Sequence, residues 1–185
     1  MTSRSTTGIS TTSATDRARP LWQWSASEIV AATHSGALTC AEVTASAVAR
    51  MRAVNGELNA VTLDLGDAAI EAAAALDARR KSGEPPGALF GVPVTIKDNV
   101  DVRGQRTPNG VTGLKDLIAP AHSPVVKNLL DAGAVIVGRT NTPEFSMRAT
   151  TNNALYGLTR NPWDARFSCG GSSGGAGAAV AAGIG

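Results

Sequence analysis

The 185 residues carry a formal net charge of +2, with 43% hydrophobic and 17% charged residues, a globular balance that excludes a disordered chain and gives room for one ordinary domain. The only basic cluster, Arg79-Arg80-Lys81, reads as the last turn of a helix, so a nucleic-acid footprint is excluded. Cys40 and Cys169 have neither a CxxC nor a Cys/His spacing, which excludes a zinc site and a disulfide framework and fits a reducing cytoplasm.

Residues 1–24 are rich in serine and threonine and contain no apolar core of a secretory signal, so they read as a flexible arm. Ser25-Ala26-Ser27-Glu28 and Thr39-Cys40-Ala41-Glu42 each match a capping box and predict two helix starts. The second helix carries Val43, Ala47, Val48, Met51 and Val54 at helical spacing, with Asn55-Gly56 as its expected stop. Leu58 to Leu65 then alternates as a short strand. Asp67 to Ser82, alanine-rich with basic residues in its last turn, predicts a helix closed by Gly83.

After the rigid Glu84-Pro85-Pro86-Gly87 loop, Phe90 to Ile96 reads as a strand that puts Lys97 at a strand end. Asp98 to His122 is long and rich in glycine, proline and polar residues, as a loop over a binding site is. Ser123-Pro124 starts a helix through Val125, Val126, Leu129 and Leu130 to Gly133, and Ala134 to Gly138 is a buried strand. Thr142-Pro143-Glu144 begins another short helix, Ala149 to Cys169 reads as loop, and Ala176 to Gly185 predicts a tightly packed buried helix of small residues. No stretch reaches the roughly 18 apolar residues of a membrane span. The alternation of strand and helix favours an α/β architecture with a central sheet. The chain ends inside an apolar run, which predicts that residues 25–185 are the N-terminal part of a longer single domain.

The chemistry concentrates in Gly170-Gly171-Ser172-Ser173-Gly174-Gly175, a serine pair clamped by glycines at a helix start. Backbone amides there suit an anion, but the P-loop lysine and the dinucleotide glycine spacing are both missing. Read as a G-x-S-x-G elbow, the segment needs a strand before it and a histidine after it; His34 and His122 lie upstream. The third reading pairs the serines with Lys97. A lysine serves as a base when burial lowers its pKa from about 10.4 toward neutrality, and an apolar strand leading into Lys97 supplies that desolvation. Taken alone, Lys97 reads as a surface lysine in an ion pair with Asp98.

The segments Gly91 to Asn99, Gly138 to Phe145, Asn152 to Gly157 and Gly170 to Gly175, in this order, resemble the amidase signature family. The resemblance implies an α/β fold with a mixed sheet flanked by helices, incomplete in this chain, and a Ser-cisSer-Lys triad. In it Lys97 matches the lysine and Ser172 the bridging serine in a cis peptide, with Ser173 as a supporting hydrogen-bond partner. The family's nucleophile lies about two dozen residues after its bridging serine, beyond Gly185, so no nucleophile is assigned in this chain. The implied activity is hydrolysis of a carboxamide through a serine acyl-enzyme, by a cytoplasmic protein acting on a small-molecule amide without metal or organic cofactor. Direct nucleic-acid and membrane partners are not expected, and a homo-oligomer is left open. Two alternatives stand beside it: the amide-hydrolysing subunit of a tRNA-dependent amidotransferase complex, and an incomplete, inactive gene product of poor solubility.

Overall fold

The structure, a computed structural model, describes residues 19–185. Of the expected arm, residues 1–18 lie outside the described residues; the remainder is packed, with a 3-10 turn at Leu21–Gln23 and with Leu21 and Trp24 seated against Ile29, Val43 and Val92.

Helix α1 spans Ala26–Ser35 and α2 spans Cys40–Leu58, each opened by the expected capping box. At α1, Glu28 N donates to Ser25 Oγ at 3.3 Å and Ser25 N donates to Glu28 Oε2 at 2.6 Å; the Ser25 amide, with the Ser25 hydroxyl and Arg19, holds the Glu28 carboxyl down at about 2. A second carboxylate caps α2 from outside: Asp77 accepts from Cys40 N at 2.8 Å and from Ala41 N at 3.1 Å. Thr39→Ala and Asp77→Ala are therefore each expected to lower stability by about 1 kcal/mol, read as a shift in the denaturant midpoint at unchanged slope. An unshifted midpoint for Asp77→Ala would show that its two hydrogen bonds carry no stability.

The expected stop at Asn55-Gly56 does not end α2. The Asn55 side chain instead organises the turn that follows, accepting from Ala60 N and Val61 N and donating to Val61 O, and the helix closes at Asn59 in the left-handed region. Strand β1 is consequently shorter than expected, Val61–Asp64. Helix α3, Gly66–Lys81, matches its predicted extent within a residue at each end. Strand β2 is Pro93–Lys97, so Phe90 and Gly91 belong to the preceding turn, Gly91 with φ +77°. Helix α4 is Pro124–Asp131, with proline in its first turn, and β3 is Val135–Thr140, longer than the apolar run. The short helix after Thr142 is a 3-10 turn at Glu144–Ser146, and the expected loop before Cys169 contains a small antiparallel ribbon, β4 (Asn152–Asn153) with β5 (Gly157–Leu158). Helix α5 spans Gly174–Ala181.

The main sheet is mixed, in the order β1-β3-β2, with β1 antiparallel and β2 parallel to β3. Period-two alternation sends Val135 and Val137 of β3 toward α2, α3 and α5, where Met51, Ala69, Ala73, Ala178 and Ala179 complete the main core. Ile136, with Val94 and Ile96 of β2, packs on the other face against Val126, Leu129 and Leu130 of α4. Lys97 follows Val94 and Ile96 in alternation and so falls on the α5 face. A register shift interrupts this logic: Val94 pairs with Ile136, but Thr95 pairs with Gly138, which leaves Val137 as an extra residue in β3. Such a bulge re-aims the residues after it. Arg139 is turned to the face of α4 and of the loop after β2, away from Lys97.

Helix α5 is not buried all round. Gly174, Gly175, Ala178 and Ala179 are buried, whereas Val180 is 63% exposed. Among the described residues no helix is long and apolar enough to cross a membrane.

Candidate active site

The site forms where the end of β2 meets the start of α5. Lys97 Nζ donates to Ser172 Oγ at 3.0 Å and to Ser173 Oγ at 3.1 Å, and the Gly171–Ser172 peptide is cis. The structure thus brings together Lys97, Ser172 and Ser173, which are 75 and 76 residues apart in sequence. Burial lowers the Lys97 pKa below its ordinary value, and the positive end of α5 also disfavours an ammonium there. Among the described residues Lys97 makes no ion pair with Asp98. Alternation puts the carboxylate on the opposite face, where it accepts from Gly110 N at 3.3 Å.

The serine loop is held from below by Thr151, which the sequence did not single out, and by Thr142 of the Gly138–Phe145 segment. Thr151 Oγ1 donates to Gly170 O at 3.0 Å and accepts from Gly174 N at 3.1 Å, and Thr142 Oγ1 donates to Ser172 O at 3.2 Å. Ser173 does not cap α5 with its side chain, so its hydroxyl is free to take the Lys97 amine. Gly171 and Gly174 let the serine loop close on the segment beneath it: a Cβ on Gly171 would meet Arg148 O at 2.6 Å, and one on Gly174 would meet Cys169 Sγ at 2.7 Å. Below lies a largely buried amide network. Asn141 Nδ2 donates to Thr159 Oγ1 and Gly157 O, and Asn153 Nδ2 donates to Asn141 Oδ1 and Thr142 O, both at 2.7 Å. Its signals in sequence are the polar run Arg139-Thr140-Asn141-Thr142 directly after an apolar strand and the Asn152–Gly157 segment.

The loop 98–122 reaches the site through the 142–146 segment, with Phe145 N donating to Asn109 O at 3.0 Å and Ser146 Oγ to Asn109 Oδ1 at 3.4 Å. An apolar cavity of about 130 Å³ lies elsewhere, between the 3-10 turn, α1, α2 and β2, and does not border Lys97 or the serines. The histidines are also distant from the serines in their contacts: His34 Nε2 lies 3.0 Å from Gly87 O, and His122 Nδ1 accepts from Arg103 N. Cys40 is buried, its thiol pushed up to about 12 by burial and by Asp77. Among the described residues no group of three His, Cys, Asp or Glu could hold a metal ion.

A lysine amine on two glycine-clamped hydroxyls at a helix start is an arrangement for moving protons between oxygen and nitrogen. The sequence model of the Amidase family matches residues 42–185, and the chain belongs to that family. An indoleacetamide hydrolase of Bradyrhizobium diazoefficiens is 57% identical over 166 residues, covering 90% of this chain and 32% of that protein. A glutamyl-tRNA(Gln) amidotransferase subunit from Thermobifida fusca is 43% identical over 162 residues, covering 88% of this chain and 32% of its own. Among solved structures, a bacterial aryl acylamidase of the amidase signature family superposes with a TM-score of 0.85 at 38% identity, covering 90% of this chain and 35% of that one. The chain spans about a third of the length of these relatives.

Proposed function

We propose that the chain is the N-terminal part of a cytoplasmic amidase that hydrolyses a small-molecule carboxamide to a carboxylate and ammonia or an amine. Lys97 is the base, Ser172 the relay and Ser173 its supporting hydrogen-bond partner. The attacking serine and the oxyanion donors come from residues outside these 185. In the first step the neutral Lys97 amine takes the proton of Ser172, and Ser172 takes the proton of the attacking serine, whose oxygen bonds to the amide carbon. Collapse breaks the C–N bond, the leaving nitrogen recovers the proton through Ser172, and water hydrolyses the acyl-enzyme. The observation that supports this most is the 3.0 Å contact between Lys97 Nζ and Ser172 Oγ.

Indoleacetamide is the first substrate to test, because the relative at 57% identity bears that name. Fused to the remaining part of the Bradyrhizobium diazoefficiens hydrolase, the chain is expected to release ammonia from indoleacetamide; residues 1–185 alone are expected to release none. Saturable hydrolysis by the lone chain, lost on Lys97→Ala, would overturn the placement of the nucleophile elsewhere. The second reading, a component of a tRNA-dependent amidotransferase, is favoured by the 43% identity to the Thermobifida fusca protein. Glutamine hydrolysis that appears only with partner subunits would decide for it.

A further inference from the structure

Among the described residues Arg139 is the largest side chain buried completely, at 0% exposure. Two of its guanidinium nitrogens donate to backbone, Nη1 to Arg106 O at 2.9 Å and Nη2 to Val100 O at 2.7 Å and Lys97 O at 3.3 Å, while Nε is buried without a hydrogen-bond partner. Burial lowers its pKa, against the attraction of the Asp98 and Asp101 carboxylates. Asp98, 2% exposed, is the largest of these opposing influences and holds Gly110 N. Asp98 and Arg139 make no direct ion pair; each holds backbone separately, and together they fix the chain at 97, 100, 106 and 110. A buried guanidinium needs such compensation, and only a planar fork with five donors meets carbonyls in several directions at once.

We propose that Arg139 is a positioning residue for Lys97: by holding the Lys97 carbonyl and the loop after it from the far face of the sheet, it aims the amine at Ser172 and Ser173. The inference rests on Lys97 acting as the base. The bulge at Val137 makes it possible, since uninterrupted alternation would send Arg139 to the α5 face beside Lys97, where it could not reach Val100 or Arg106. Released from that grip, Lys97 turns to solvent and becomes an ordinary lysine.

The test is acetylation of Lys97 by dilute acetic anhydride across pH on the full chain, quantified by peptide mass spectrometry. In the unmodified protein the midpoint of labelling is expected below that of free lysine. Arg139→Met should raise it to the free-lysine value, and Arg139→Lys, which keeps the charge but not the fork, should raise it part of the way and remains informative if the methionine variant does not fold. The double variant Asp98→Asn/Arg139→Met should keep the raised midpoint; its return to the unmodified value would show that the unpaired Asp98 charge, not lost aim, caused the shift, and would overturn the proposal. Unchanged midpoints in both single variants, with a lowered one in the unmodified protein, would overturn positioning and leave Lys97 as the base. A free-lysine midpoint in the unmodified protein would sink the base reading itself.

Discussion

In the fused enzyme, Lys97→Ala is expected to lower kcat/KM for amide hydrolysis by about 10³-fold, the scale of a lost base acting on a weak nucleophile. Lys97→Arg is expected to be equally inactive, because a guanidinium stays protonated at any working pH and cannot accept the serine proton. This pair of variants separates proton transfer from charge: a lysine needed only as a cation would be largely rescued by arginine. The pH profile follows from the direction of the Lys97 shift. Burial lowers its pKa, so the neutral amine persists to lower pH than in free lysine, and kcat/KM falls only as pH drops through that lowered value. Linkage has the matching sign. The folded state binds fewer protons at Lys97 than the unfolded chain between the two pKa values, so stability rises with pH across that window. A pH profile flat through the acid limb, or an active Lys97→Arg enzyme, would remove Lys97 from the chemistry.

The second large effect is expected at Gly175. A Cβ built there meets the backbone of Asn141, at 2.5 Å from its nitrogen, at 2.9 Å from its Cα and against its carbonyl oxygen. No rotamer change relieves a clash between two backbones, so Gly175→Ala forces α5 away from the end of β3 and costs about 2–3 kcal/mol. In a domain of this size that lowers Tm by roughly 5–10 °C. Gly177→Ala, two residues along the same helix, meets nothing within 4 Å and is expected to stabilise by up to about 1 kcal/mol through the gain in helix propensity. Thermal melts of the two variants check both. Gly175→Ala should also lower activity in the fused enzyme, because Ser172 and Ser173 ride on the start of α5. A Gly175→Ala protein that melts with the unmodified chain would mean that α5 does not cross Asn141 so closely.

Local chemistry made much of this chain legible before any coordinates. Ser25, Thr39 and Pro124 mark helix starts because capping needs only residues within one turn of each other, and Lys97 falls at a strand end because an apolar run leads to it. Contacts that reach beyond the local motif override its signal at two places. Asn55 reads as a helix stop, yet its side chain serves the turn at Ala60 and Val61 and the helix runs on. Gly138, at the end of the apolar run, does not end β3, because Asp64 of β1 and Thr95 of β2 pair with it and carry the strand on to Thr140.

By itself, the sequence determined the capped helix starts, which rest on residue type and short-range spacing, and the family resemblance that singles out Lys97, Ser172 and Ser173 as candidates. Only the tertiary structure decided which face each residue occupies. Alternation along β2 and one extra residue in β3 put Lys97 beside α5 and sent Asp98 and Arg139 to the far side. A one-residue change of register is invisible in composition and reverses every side chain that follows it.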